Sequence, residues 1–403
     1  MPNVSKKGKA MPESPIRKLV PYAELAQKEG KRIYHLNIGQ PDIPTPEEAL
    51  HAIRTVDVPV VAYSHSAGNR SLRERLKAYY GKHQIGVDVD DILVTTGGSE
   101  ALVFAMGSLT DPGDEIIVPE PFYANYYSFS TQSAATVVPI ISSIDTGFAL
   151  PPISEFERRI TPRTKAILIC NPGNPTGYVY TKSEIRQLAE LVIKYDLFLI
   201  SDEVYREFVY DGTDHYSVLQ EEALEQHAIV VDSFSKRYSM CGARLGCLVS
   251  RNEEVLQTAM KFAQARLSPP YFAQVASEAA LSAPDTYLKE VIKQYESRRN
   301  TLIEALKQIS GLRVSHPKGA FYCIVELPVP NAEDFAKWLL SDFSLNNETV
   351  MVAPANGFYS SPKVGDNQIR IAYVLQESYL KRAVNIIREG LKQYISKQSS
   401  VLV

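Results

Sequence analysis

The sequence has few cysteines. Only four occur in 403 residues, and no two of them form a Cys-x-x-Cys pair. Scattered cysteines argue against a zinc site or a disulfide framework and are typical of reduced thiols inside a cell. We therefore expect a cytoplasmic protein without a metal site, in which thiols such as Cys170 and Cys241 fill space as small apolar groups.

Long apolar stretches are also missing. No run approaches the roughly 18 consecutive apolar residues that a membrane span requires. The basic residues between Lys6 and Lys9 are not followed by an apolar segment, so we expect neither a secretory signal nor a membrane anchor. The formal net charge of −3 at pH 7 gives no general attraction to nucleic acid, and we expect none as a partner.

Several familiar ligand motifs are missing or incomplete. The sequence has neither a Gly-x-x-x-x-Gly-Lys-[Ser/Thr] loop nor a Gly-x-Gly-x-x-Gly loop, so nucleotide chemistry is not expected. Ser233 and Lys236 match the Ser-x-x-Lys motif of serine acyl enzymes. That chemistry also requires Ser-Asp-Asn and Lys-Thr-Gly, and neither tripeptide occurs.

A lysine close to two serines follows a predicted strand. The run 228–232 is typical of a buried strand, and Ser233-Phe-Ser-Lys236 comes directly after it, with Arg244 eight residues further on. A desolvated lysine amine can form a Schiff base with an aldehyde. Arg244 and Ser233 offer donors suited to a phosphate dianion. Pyridoxal phosphate carries both groups; the alternative is that Lys236 and Arg244 are ordinary surface charges.

A second predicted strand ends in acidic residues and a tyrosine. The apolar run 197–200 leads into Asp202 and Tyr205, and ligands of open α/β sheets bind beyond such strand ends. An ionised Asp202 can keep a pyridine nitrogen protonated, and Tyr205 can donate to the ring 3-oxygen. The alternative role for Asp202 is to cap the following turn.

Two loops add candidate ligands of the same cofactor. Strand 165–170 runs into Asn-Pro-Gly-Asn-Pro-Thr-Gly, an irregular loop from which Asn174 can offer its amide to the ring oxygen. These residues are also ordinary turn formers. Strand 92–94 breaks at two glycines and opens into a helix, whose first N–H groups favour an anion. Those N–H groups belong to Gly98, Ser99 and Glu100.

Five motifs in this order resemble the class I and II aminotransferases, which are fold-type I pyridoxal phosphate enzymes. They are Gly-Gly-Ser-Glu-Ala from 97, Asn-Pro-Gly-Asn-Pro-Thr-Gly from 171, Asp-Glu-Val-Tyr from 202, Ser-Phe-Ser-Lys from 233 and Gly-Ala-Arg-Leu-Gly from 242. The resemblance spans nearly the whole chain and includes aspartate aminotransferase-like members. It implies an α/β fold with a mostly parallel central sheet in a large domain, and a smaller α+β domain built from the N- and C-terminal parts.

The resemblance also implies a role for each matching residue. The catalytic residues it implies are Lys236, which would bind the cofactor aldehyde and shuttle the proton, Asp202 and Tyr205. The cofactor contacts it implies are Gly98, Ser99, Glu100, Tyr123, Asn174, Asp202, Tyr205, Ser233, Lys236, Arg244 and, across a dimer interface, Tyr63. The substrate contacts it implies are Gly39, Asn174 and Arg370. The expected assembly is a homodimer with shared active sites.

We expect three segments along the chain. Residues 1–45 would pack with the small domain, 46–290 would form the large cofactor-binding domain, and 291–403 the small domain. Alternating strand and helix patterns between about 92 and 250 predict the sheet of the large domain. Pro139 makes 136–141 an edge strand or an irregular one. A capping box at Thr181 predicts a helix start. From about 284 we expect a long polar-faced helix that includes 295–299.

The favoured activity is transamination from an L-amino acid to a 2-oxo acid such as 2-oxoglutarate. Aspartate is the first choice of amino acid because it is a frequent substrate in this family. Arg266 or Arg17 would supply the second cation that a dicarboxylate needs. The four tyrosines near the site, Tyr123, Tyr126, Tyr127 and Tyr205, would instead suit an aromatic or neutral amino acid. A carbon–sulfur β-lyase also fits the constellation. A ligand sensor would need a DNA-binding module, for which the residues before Gly39 are too few.

Overall fold

The computed structural model describes residues 2–401. The strands are β1 Arg32–His35, β2 Ile92–Thr95, β3 Glu115–Glu120, β4 Thr136–Ile141, β5 Thr164–Cys170, β6 Phe198–Asp202, β7 Ala228–Ser233, β8 Gly246–Val249, β9 Arg313–Val314, β10 Tyr322–Glu326, β11 Glu348–Met351, β12 Ala353–Pro354 and β13 Gln368–Ala372. The helices are α1 Lys6–Ala10, α2 Val20–Lys28, α3 Glu47–Arg54, α4 Arg70–Lys82, α5 Gly98–Leu109, α6 Asn125–Gln132, α7 Ile153–Arg159, α8 Lys182–Lys194, α9 Phe234–Arg237, α10 Glu253–Arg266, α11 Tyr271–Ala280, α12 Asp285–Lys307, α13 Ala332–Ser341 and α14 Glu377–Val401.

A seven-stranded sheet forms the centre of the fold, in the order β2-β8-β7-β6-β5-β3-β4. Neighbouring strands from β4 to β7 are parallel, whereas β8 runs antiparallel to both β2 and β7. The predicted mostly parallel sheet is confirmed, and so is the edge position of the strand with Pro139. Strands β5, β6 and β7 begin within one residue of their predicted starts, because continuous apolar runs specify strands that are buried on both faces.

Helices cover the central sheet through apolar stripes. The predicted capping box before α8 is present: Thr181 accepts from the Glu184 N–H while the Glu184 carboxylate accepts from the Thr181 N–H. Ile185, Leu188 and Val192 then form the buried stripe of this helix. Helix α8 thereby returns the chain to the start of β6, whose far end carries Asp202.

A second packed region combines both ends of the chain. It holds the four-stranded sheet β12-β13-β10-β9 and the parallel pair β1-β11. Helix α2 packs beside α13, and Leu19 and Ala23 belong to the same apolar cluster as Phe335 and Leu339. Helix α2 therefore packs against a helix from the C-terminal part of the chain.

The long helix expected from about 284 is present as α12 and includes 295–299, but three of these five residues do not lie on its polar face. Tyr295, Arg298 and Arg299 are buried. Arg299 donates from two nitrogens to the Asp211 carboxylate, at 2.7 Å each, and Arg298 pairs with Asp42 at 2.6 Å. These arginines are tolerated in the interior because each has an acidic partner.

Helix α6 begins at Asn125 and does not include Phe122. The N–H of Phe122 donates to the Phe358 carbonyl at 3.0 Å, so its backbone is already engaged with another segment. Among residues 2–401 we find no helix that is both long and apolar enough to span a bilayer. The same residues contain no cluster of three His, Cys, Asp or Glu side chains that could bind a metal ion.

Candidate active site

A cavity of about 320 Å³ lies beyond the carboxyl ends of β5, β6 and β7 and at the start of α5. Eleven of the residues predicted for the site line it. They are Gly39, Gly98, Ser99, Tyr123, Asn174, Asp202, Tyr205, Ser233, Lys236, Arg244 and Arg370. The structure therefore brings together residues that are more than 300 positions apart in the sequence.

The Lys236 amine projects into this cavity. Its Nζ donates to the Gly39 carbonyl at 2.8 Å and lies 3.9 Å from the Cys241 sulfur. It also lies 5.9 Å from the ring centres of both Tyr205 and Phe321. The amine has aromatic rings on two sides and only one strong hydrogen-bond acceptor. It is therefore accessible to a molecule in the cavity.

A buried ion pair anchors the short helix α9 that carries Lys236. Arg237 donates from one nitrogen to both carboxylate oxygens of Asp232, at 2.9 and 2.7 Å, and both side chains are 1% exposed. Burial opposes ionisation of Asp232, but Arg237 and Arg206 outweigh it and hold its pKa below the usual value. The Arg237 guanidinium also lies 4.1 Å from the ring of Tyr79. The sequence shows that Arg237 directly follows Lys236, but sequence reasoning missed its ion pair with Asp232.

Asp202 is a buried carboxylate at the end of β6. Burial raises its pKa to about 6. Its Oδ2 accepts from the Tyr126 hydroxyl at 2.8 Å, and no Lys or Arg among residues 2–401 forms an ion pair with it. The capping role is weak, because the Val204 N–H lies 3.4 Å from Oδ1. Asp202 therefore faces the cavity as a carboxylate that a cationic group would stabilise.

Two tyrosines expected to receive an aromatic substrate do not line the cavity. Tyr126 is fully buried behind Asp202 and orients that carboxylate. Tyr127 packs against Phe122 instead, with ring centres 5.0 Å apart. Tyr322, which sequence reasoning missed, lies in the lining, and its hydroxyl is 2.9 Å from that of Tyr205.

One end of the cavity is shaped to receive an anion. Gly98 and Ser99 begin α5, where the first N–H groups have no intrahelical acceptor and the helix dipole favours negative charge. Gly97 has a φ of +81°, and a Cβ there would lie 2.8 Å from Nη2 of Arg244. The positive φ favours glycine at that position, whereas the Arg244 side chain could move away from a Cβ. Ser233 also lines the cavity, and its hydroxyl donates to the Leu245 carbonyl at 3.1 Å.

Arg370 also lines the cavity. It is 1% exposed, donates to Oδ1 of Asn174 at 2.9 Å and to the Asn37 carbonyl, and lies 4.5 Å from the ring centre of Tyr322. Its Nε has no hydrogen-bond partner within residues 2–401. Gly39 must be glycine here, since a Cβ would lie 1.8 Å from the Tyr322 hydroxyl. A planar cation in this setting suits a carboxylate.

Three predicted residues lie outside the cavity lining. The Glu100 side chain accepts from the Thr96 N–H at 2.7 Å, so only its backbone is available to an anion. Tyr63 is 80% exposed on a segment without regular secondary structure. Arg266 lies 3.4 Å from the Glu100 carboxylate and donates to the Ser66 carbonyl.

The lining fits pyridoxal phosphate group by group. Lys236 provides an amine for the aldehyde, and Tyr205 provides a phenol for the ring oxygen. Asp202 provides a buried carboxylate for the pyridine nitrogen, and this carboxylate has no cationic partner among the described residues. Burial raises the pKa of Tyr205 well above its usual value, so it remains a donor. The start of α5 with Arg244 provides the anion end. These residues would hold the cofactor between Lys236 and Asp202.

Comparison with known proteins shows the family to which the chain belongs. The family model for aminotransferase class I and II matches residues 31–387. An aspartate aminotransferase of Pyrococcus horikoshii is 30% identical over 377 residues, which cover 92% of this chain and 94% of the relative. An aromatic-amino-acid aminotransferase 2 of Thermococcus litoralis is 31% identical, with 94% and 96% covered.

Solved structures give the same result. Aspartate aminotransferase from Thermus thermophilus with maleate superposes with a TM-score of 0.87 at 29% identity, covering 97% of this chain and all of the other. An alanine aminotransferase from Pyrococcus furiosus gives 0.89 at 30% identity with the same coverage. The chain belongs to the class I and II aminotransferases, a pyridoxal phosphate-dependent family. Its activity is that of a pyridoxal phosphate-dependent aminotransferase.

Proposed function

We propose that the protein transfers the amino group of an L-amino acid, aspartate first, to a 2-oxo acid such as 2-oxoglutarate in two ping-pong half-reactions. The observation that carries the proposal is one cavity lined by a lysine amine, a buried carboxylate and a buried arginine. Each of the three groups is needed for a different part of amino-acid chemistry, so their convergence is more specific than any one of them.

Each residue has a distinct task in this proposal. Pyridoxal phosphate, when bound, supplies an aldehyde and an electron-accepting ring. Arg370 binds the α-carboxylate and fixes the orientation of the α-carbon. Lys236 Nζ removes the α-proton and returns a proton at the end of the half-reaction. Asp202, oriented by Tyr126, holds a positive charge on the ring nitrogen, and Tyr205 donates to the ring oxygen.

Aspartate is named first on family frequency. Relatives and neighbours near 30% identity are named as aspartate, aromatic and alanine aminotransferases, so the level of identity alone does not separate these substrates. The cavity lining contains both apolar side chains, such as Ile38, and a further cation, Arg17.

The experiment that tests the proposed function is a panel of single half-reactions. The purified protein, loaded with pyridoxal phosphate, is mixed with one L-amino acid at a time, and the conversion of the cofactor to its amine form is followed by absorbance. We expect conversion with aspartate and recovery with 2-oxoglutarate. Absence of conversion with every amino acid would contradict an aminotransferase. Conversion with aromatic or neutral amino acids alone would contradict only the choice of aspartate.

Arg370→Lys should raise the KM for the amino acid roughly 10- to 100-fold, because lysine keeps the charge but loses the planar two-point contact with a carboxylate. The value of kcat should fall less than kcat/KM. Steady-state kinetics with aspartate measures both. The exposed Arg382→Lys on α14 is the matched control. An unchanged KM in Arg370→Lys would mean that another group binds the α-carboxylate.

We also propose a homodimer in which Tyr63 reaches the phosphate end of the partner's cavity. The segment around it exposes Val58, Val60, Val61 and Tyr63, and such clusters of exposed apolar side chains mark interaction surfaces. The division into segments 1–45, 46–290 and 291–403, and a cytoplasmic location, belong to the same proposal.

A further inference from the structure

The lining of the cavity contains one more cation than the proposed function assigns to an anion or to the aldehyde. Within the described residues the lining contains four cations, Arg17, Lys236, Arg244 and Arg370, and one carboxylate, Asp202. The proposed function uses three of the cations, for the aldehyde, the phosphate and the α-carboxylate. Arg17 is left without an assigned anion.

Arg17 also lacks a partner in the protein. Among residues 2–401, no carboxylate forms an ion pair with it and no acceptor receives a hydrogen bond from its guanidinium, and the side chain is exposed. Its neighbour Lys18 differs, because Lys18 pairs with Glu333 and does not line the cavity. A guanidinium that lines a ligand cavity without a protein anion is available to an anionic ligand.

The backbone around Arg17 is fixed in position. Pro15 packs directly on Gly357, where a Cβ would lie 2.1 Å from the Pro15 Cβ. Ile16 packs against the apolar cluster that contains Phe358, and Leu19 is fully buried. The Arg17 N–H donates to the Ser14 carbonyl at 3.1 Å. Arg17 is therefore held at the cavity by contacts on both sides in the sequence.

We propose that Arg17 binds the distal carboxylate of dicarboxylic substrates, that is, of C4 and C5 amino acids and 2-oxo acids with an acidic side chain. This inference rests on the proposed function and deepens it by assigning the substrate class to one residue. Arg266, the other candidate cation, does not line the cavity and is engaged with Glu100. Arg370 and Arg17 then bind the two carboxylates, while Ile16 and Ile38 contact the carbon chain between them.

The test compares Arg17→Gln with wild type on pairs of ligands that differ by one carboxylate. The first pair is 2-oxoglutarate and 2-oxopentanoate as amino acceptors. The second is maleate and isocrotonate, whose affinities for the pyridoxal phosphate-loaded protein are measured by calorimetry without any turnover. Lys18→Gln is the matched control, since it removes a neighbouring cation that does not line the cavity.

We expect Arg17→Gln to lower kcat/KM for 2-oxoglutarate and the affinity for maleate roughly 10- to 100-fold, the range for a lost charge-assisted hydrogen bond. Values for 2-oxopentanoate and isocrotonate should change less than about threefold, and Lys18→Gln should resemble wild type. Equal losses within a pair, or no loss with the dicarboxylates, would overturn the inference. A wild type that converts no amino acid would contradict the proposed function instead, while maleate binding would still decide the role of Arg17.

Discussion

Lys236→Ala should abolish transamination and the visible absorbance of the loaded protein. The variant loses both the amine that binds the cofactor aldehyde and the base that moves the α-proton, so we expect kcat to fall by more than about 10⁴-fold. The fold should persist, because the Lys236 amine makes one strong hydrogen bond, to the Gly39 carbonyl, and lies in a cavity.

Absorbance spectra, single-turnover kinetics and thermal unfolding of the variant measure these expectations. Lys293→Ala, an exposed lysine on α12, is the control for loss of a lysine in general. A Lys236→Ala protein that keeps the wild-type spectrum and turnover would refute the assignment of the lysine. If Lys236→Ala does not fold, the same measurements are made on Lys236→Arg, which retains the charge but cannot bind the aldehyde.

Asp202→Asn should lower turnover and raise the stability of the cofactor-free protein. Turnover should fall by roughly 10³-fold, about 4 kcal/mol of barrier, because a neutral amide cannot hold a positive charge on the ring nitrogen. The unfolding free energy of the cofactor-free protein at pH 7 should rise by about 3 kcal/mol. The reason is that the native protein buries the ionised Asp202, whose pKa is raised from 3.8 to about 6.

The effect of Asp202 on the unfolding free energy depends on pH, and Asp202 lowers stability more at high pH than at low pH. The folded state binds the Asp202 proton more tightly than the unfolded state, so Asp202 lowers stability as the pH rises from 3.8 towards about 6. Above pH 6 the cost is constant, and below pH 3.8 it vanishes. Denaturant unfolding of both cofactor-free proteins at pH 4 and pH 7 measures the difference. A variant no more stable than wild type at pH 7, or a gap that grows at low pH, would contradict this account of Asp202.

The ends of the central strands could be predicted from the sequence because they combine two local signals. Apolar runs specify β5, β6 and β7, and the polar residues that interrupt them, Asp202 and Ser233, must then lie at a common sheet edge. The glycine loop before α5 is also a local signal. These residues line one cavity in the structure.

Long-range contacts account for what could not be predicted. Tyr322 reaches the cavity through a strand more than 100 residues after Tyr205, and its only local signal is an aromatic pair. Tyr126 was visible as a tyrosine near the site, but its direction towards Asp202 depends on how α6 packs on the sheet. Arg299 is buried because Asp211, 88 residues earlier, accepts its hydrogen bonds.

The sequence could not decide between Arg17 and Arg266 as the cavity cation for the same reason. Both precede or follow turn-forming residues in the sequence, and neither position carries a motif. The packing of Pro15 on Gly357 brings Arg17 to the cavity, whereas Glu100 engages Arg266 outside its lining. Such contacts join segments that are more than 160 residues apart and have no counterpart in local sequence patterns.

The most direct test of the central claim is to locate the cofactor on the chain. The protein is loaded with pyridoxal phosphate, reduced with borohydride to make the link between amine and cofactor permanent, digested, and analysed by peptide mass spectrometry. The account predicts one modified peptide, with the added mass on Lys236. Modification of a different lysine, or no modification of a fully folded protein, would contradict it.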